Sequence, residues 1–399
     1  MSVVIDGVYD PNYEGVARAF AEAFIGNEGM GGSLCVYRSG RPVLDLWGGT
    51  ADIRSGRAWD KDTISVIFSC TKGLMSILVA RLVEEGRLDY DAPAARYWPE
   101  IAGAGKASLK VSDLVSHRAG LSAPRVDLST EDLLDWERMI HVLEAQPPLW
   151  PPGEAYAYHA LTHGWLTGEL VRRATGLSAG AYSAETVARP LGVSAWIGLP
   201  ATEVPRVAHL HGGPTMASDV EAGRATWTGE GGIWLERAMT MGGALPLALI
   251  GPGTGFNDPR LWAAEIPGAG ALSNARSLAR IWSATVCDTD GERLLQPETV
   301  ALATREITSG APVFNVPPPW SSWGMGFQRD SEARRYLSAR SFGHDGAGGQ
   351  VTFADPDHEI GFAFVTNHME VANDNRATSI IAALSEALGI TARRAAVAD

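Results

Sequence analysis

Phe68-Ser69-Cys70-Thr71-Lys72-Gly73 opens an apolar stretch in which Leu74, Ile77, Leu78 and Leu82 recur at helical spacing. A helix is predicted over roughly 70–85, with Gly86 as its stop. Ser69 and Lys72 are three apart, so the helix puts them on one face, a turn apart. A serine hydroxyl is a poor nucleophile until a neighbouring base takes its proton. A lysine serves as that base only when burial and neighbours depress its pKa, and arginine never does. The chain has four lysines (Lys61, Lys72, Lys106, Lys110) among 33 basic residues, so an amine in this apolar setting is unusual. The helix N-terminus also favours a developing oxyanion.

Working outward, strand-like runs at 32–38 and 42–47 flank Ser39-Gly40-Arg41, which reads as a hairpin turn. Residues 13–25 carry a helical pattern. Residues 108–195 read as mostly helical with proline-rich breaks, notably Pro147-Pro148-Leu149-Trp150-Pro151-Pro152-Gly153. Residues 196–266, rich in Gly, Pro and Trp, read as an irregular cover. Strands return at 324–329, 351–354 and 360–367, followed by a helix at 374–388. Strands at both chain ends around a helical middle predict one α/β (α+β) catalytic domain over 1–399. Its sheet lobe comes from both ends, its helical lobe spans roughly 80–195, and its cover spans roughly 196–266.

Motif order carries a resemblance. Ser69-Cys70-Thr71-Lys72-Gly73 is followed by Leu82-Val83-Glu84-Glu85-Gly86-Arg87-Leu88-Asp89 and Tyr97-Trp98-Pro99-Glu100. Next come Leu114-Val115-Ser116-His117-Arg118-Ala119-Gly120-Leu121 and Pro152-Gly153-Glu154-Ala155-Tyr156-Ala157-Tyr158-His159-Ala160. Then follow Gly270 to Arg280 and Gly343-His344-Asp345-Gly346-Ala347-Gly348-Gly349. Together, over about residues 15–390, these resemble the serine β-lactamase and penicillin-binding-protein superfamily, in its class C-like, family VIII carboxylesterase branch. The resemblance implies an antiparallel sheet flanked by helices plus a helical lobe, with Ser69 between them. It also implies Ser69 as nucleophile, Lys72 and Tyr158 as its proton-handling partners, and the N–H groups of Ser69 and Ala347 as oxyanion hole. Tyr156 is the runner-up for the tyrosine.

Two departures bear on substrate. Penicillin-interacting members usually carry Asn where this chain has Ala160, and Lys where it has His344. Histidine is mostly neutral at pH 7. Both changes favour esters over β-lactams, so His344, Gly346 and Ala160 are expected to line the substrate site. Five of the 13 tryptophans, Trp150, Trp227, Trp234, Trp320 and Trp323, stand where a pocket rim is expected, Trp150 and Trp323 foremost. The irregular segments 196–266 and 311–323 are the expected substrate-selecting covers. A β-lactamase or D-amino peptidase, an acyltransferase and a non-catalytic scaffold remain as alternatives.

The net charge of −13 argues against nucleic acid and anionic membranes as partners. A homo-oligomer is left open. Met-Ser-Val-Val-Ile-Asp lacks the features of a secretory signal. Cys35, Cys70 and Cys287 are odd in number and widely spaced, so a reducing cytoplasm is expected. His159 and His163 are four apart with no evident third ligand, and His209-Leu210-His211 is no stronger, so neither metal nor organic cofactor is expected. Gly-x-Ser-x-Gly, His-Glu-x-x-His and Walker A motifs do not occur, and Gly251-Pro252-Gly253-Thr254-Gly255 reads as a plain loop.

Overall fold

The computed structural model describes residues 3–390 apart from Pro252 and Asn373. The main strands are β1 (Ile5–Tyr9), β2 (Gly31–Arg38), β3 (Arg41–Asp52), β4 (Ser322–Trp323), β5 (Gln328–Arg329), β6 (Phe342–Gly346), β7 (Gln350–Asp355) and β8 (Ile360–Thr366). They form one antiparallel sheet in the order β1-β3-β2-β8-β7-β6-β5-β4, with Arg57–Ala58 paired to β3. The two chain ends therefore meet at β2 and β8. The β2–β3 turn has Ser39 at φ 48° and Gly40 at φ 77°, the doubly positive geometry that matches strand twist. Between β4 and β5 the chain does not run straight as 324–329 predicted. Gly326 sits at φ 84°, a conformation that favours glycine, and a side chain there would also collide with Ser76.

The principal helices are α1 (Glu14–Glu22), α2 (Cys70–Glu84), α3 (Val111–Val115), α4 (Thr162–Thr175), α5 (Met216–Ala225), α6 (Gly229–Thr240), α7 (Ala275–Val286) and α8 (Arg376–Ala387). Side chains alternate across the sheet. Leu34, Val36, Phe362 and Phe364 face one cluster with Val16 and Phe20 of α1 and Ile380 and Leu384 of α8. Cys35, Ala363 and Val365 face the other, against α2 and α7. Small residues on that face let α7 approach closely: a side chain at Gly361 would strike the Ala279 carbonyl.

Helix α2 is buried on nearly all sides, with apolar residues around its whole circumference. It lies between β6 and β7 on one side and α4 of the helical lobe on the other. Gly86, at φ 70°, follows its end. Segment 196–266 differs from its irregular reading, because it carries α5 and α6. Three glycines near the start of α6 (Gly229, Gly231, Gly232) mask the helical pattern. Among the described residues, no helix is long and apolar enough to cross a membrane.

Candidate active site

Ser69 occupies the N-cap position of α2 without a capping hydrogen bond from its side chain, and is partly exposed amid buried neighbours. Phe68 before it is held at φ 44°, a left-handed conformation that costs a bulky residue about 1–3 kcal/mol. Its ring, 5.3 Å edge-on from Phe256, is fully buried, so packing holds the strained turn in place.

Lys72 is fully buried. Its Nζ lies 3.0 Å from Ser69 Oγ, 2.6 Å from the Ala160 carbonyl and 2.7 Å from the Gly268 carbonyl. Burial pushes its pKa down to about 7. Cys70 opposes that shift. Gly268 reaches this position through a close backbone approach: a side chain on Gly164 would collide with Gly268, and one on Gly268 with Leu161.

Burial raises the Tyr158 phenol above its ordinary value, and the neighbouring Ser69 side chain opposes that rise. Lys72 Nζ lies 4.9 Å from the Tyr158 ring centroid, and Trp323 stacks on that ring at 5.4 Å and 20°. Tyr156 borders the same cavity, but its hydroxyl donates to the Gly310 carbonyl.

The end of β6 completes the arrangement. A side chain on Gly346 would stand 2.5 Å from the Ile67 carbonyl, so only glycine lets this strand close on the start of α2. His344 Nδ1 donates to the Asp345 carbonyl at 2.6 Å, which leaves Nε2 as an acceptor. Burial, helped by Lys72, lowers its pKa to about 3 and keeps the ring neutral. The Asp345 carboxylate turns away to Arg334, at 2.6 Å, and Tyr336.

These groups border a cavity of about 410 Å³. Ser69, Tyr158, Ala160, Trp323, His344, Gly346 and Ala347 all line it, with Leu235 and Met239 from α6 and Phe314 and Trp320 from the 311–323 segment. Trp150, Trp227 and Trp234 do not. Trp150 stands behind the wall, edge-on to Phe314 at 5.7 Å, its Nε1 donating to the Ala155 carbonyl. Among the described residues, no Lys or Arg lines the cavity.

The Beta-lactamase family model matches residues 17–385. The chain belongs to the Beta-lactamase family. A curated member, "Esterase/beta-lactamase LipL" of Mycobacterium tuberculosis, is 36% identical over 91% of this chain and 83% of its own length. The crystal structure of a family VIII carboxylesterase superposes with a TM-score of 0.83 at 32% identity, covering 96% of this chain and all (100%) of that one. A penicillin-binding protein homolog from Caulobacter crescentus gives 0.84 at 34% identity, with the same two coverages, 96% and 100%.

For this Beta-lactamase family member, sequence reasoning missed the Gly268 carbonyl, 196 residues from the lysine it faces. Pro267-Gly268-Ala269-Gly270 is a signal of close backbone approach, but it names no partner. His159 and His163 serve as hydrogen-bonding residues. His159 Nε2 accepts from Leu121 N–H at 3.2 Å, and His163 Nε2 donates to the Val115 carbonyl at 3.0 Å. Among the described residues, no cluster of three or more His, Cys, Asp or Glu could hold a metal ion.

Proposed function

We propose that the chain is a serine carboxylesterase that cleaves uncharged esters through an acyl-enzyme on Ser69. The observation that carries this reading is the set of atoms around Lys72 Nζ. A neutral amine has two N–H groups and one lone pair. The Ala160 and Gly268 carbonyls take the two N–H groups, and the lone pair is left for the Ser69 hydroxyl proton. A pKa of about 7 supplies that neutral form at working pH.

In the reaction, Ser69 Oγ bonds to the ester carbonyl carbon as Lys72 Nζ takes its proton. The N–H groups of Ser69 and Ala347 hold the oxyanion. Collapse breaks the bond to the alcohol, which leaves with the Lys72 proton passed through the Tyr158 phenol. Its raised pKa keeps that phenol protonated and able to relay. Water then gives its proton to Lys72 and attacks the acyl carbon. Ser69 recovers its proton and the acid is released.

The apolar wall and neutral His344 support an uncharged acyl group. A substrate carboxylate entering here would meet no Lys or Arg on the cavity wall, and an unpaired charge is costly to bury. Relatives named esterase and carboxylesterase support the same substrate class. One catalytic domain suffices for this chemistry, and three buried unpaired cysteines suit a reducing cytoplasm.

The test compares a short-chain nitrophenyl ester with a chromogenic cephalosporin. The ester is expected to turn over at least about 100-fold faster, given an uncompensated carboxylate. Faster cephalosporin hydrolysis would overturn the reading.

A further inference from the structure

His117 follows the end of α3, is fully buried and stands at φ 66°. That left-handed conformation is uncommon for non-glycine residues, and His and Asn are among those that adopt it most readily. The position lets one residue grip the chain on both sides of Tyr158. The His117 carbonyl accepts the Ala157 N–H at 3.3 Å. Its Nδ1 accepts the His159 N–H at 3.2 Å. The His117 ring also lies 4.9 Å from the Tyr158 ring and 4.6 Å edge-on from Trp323, which stacks on Tyr158.

An Nδ1 that accepts must carry no proton, so the ring proton is on Nε2. Protonating the imidazole would set an N–H against the His159 N–H. His159, His163, His344 and Lys72 all bear on this ring, and burial first, then these neighbours, keep it neutral.

We infer that His117 is a positioning residue for Tyr158: it fixes the peptides on either side of the tyrosine so that the phenol meets Ser69. The inference rests on the proposed role of Tyr158. It gives a buried histidine outside the nucleophile–base pair a function in the same reaction. Its action runs wholly through the tyrosine.

A double-mutant cycle on the full chain tests this, with kcat and KM measured on a nitrophenyl ester. His117→Leu removes the acceptor and is expected to lower kcat about 10–100-fold, with KM nearly unchanged. His117→Asn, whose amide oxygen can take the place of Nδ1, is expected to recover most of that loss. In a Tyr158→Phe background, His117→Leu is expected to cost less than about 2-fold, because the group it positions is gone. An equal loss in both backgrounds, or unchanged kcat in His117→Leu, overturns the inference. If His117→Leu does not fold, His117→Gln, whose acceptor falls at the Nε2 position, replaces it with the same expectations. Full activity in Tyr158→Phe alone would instead overturn the role given to Tyr158, so the two failures are distinct.

Discussion

Lys72 Nζ stands 3.0 Å from Ser69 Oγ while two backbone carbonyls, those of Ala160 and Gly268, occupy its other hydrogen-bonding directions. The lysine is thereby aimed at Ser69, and its burial makes the amine easier to deprotonate. Burial lowers its pKa, and the carbonyls decide which way the lone pair points.

The pH dependence follows from that burial. In the proposed mechanism the neutral amine is the base, so kcat/KM should rise as pH passes upward through about 7 and level off above it. The raised Tyr158 phenol should keep the plateau level to beyond about pH 10, the ordinary tyrosine value. A stopped-flow or plate-based pH profile checks both limbs. A flat profile between pH 5 and 9, about two units either side of 7, would refute Lys72 as the base.

Lys72→Arg keeps the charge and loses the titration. Activity should fall at least about 1000-fold at every accessible pH, because a guanidinium offers no lone pair. Recovery at high pH would contradict the assignment. Circular dichroism would show whether the larger side chain had disturbed the fold.

Removing the Tyr158 hydroxyl should leave substrate binding largely intact. Tyr158→Phe is expected to reduce kcat about 10²–10⁴-fold, the usual worth of a positioned acid or base, with KM within a few-fold. The ring would remain stacked on Trp323, so the melting temperature should hold.

Gly346→Ala sets a methyl 2.5 Å from the Ile67 carbonyl, where neither backbone can yield cheaply. The strand should shift, with about 1–3 kcal/mol of stability lost. The Ala347 N–H would move with it, and kcat should fall about 100-fold. Thermal melts and steady-state kinetics read the two effects separately.

Much of this was legible in the sequence because its signals are local. The helix from Ser69, its stop at Gly86 and the Ser39-Gly40 hairpin each follow from a few adjacent residues. Tyr158 and His344 could be ordered along the chain but not placed. Their approach to Ser69 depends on how the lobe and the sheet pack on α2. The Gly268 carbonyl and the His117 grip were invisible for the same reason, since both are contacts between distant segments. Tryptophan positions told little about which rings face substrate. Trp323 lines the cavity while Trp150, equally buried, supports Phe314 from behind. Helices α5 and α6 were hidden by weak periodicity and, in α6, by its glycines.

The most direct test of the account is peptide mass spectrometry after treatment with a fluorophosphonate. A single adduct is predicted on the peptide carrying Ser69, forming faster as pH rises through about 7 and absent in Ser69→Ala. An adduct on another residue, or none on folded and hydrolytically active protein, would contradict it.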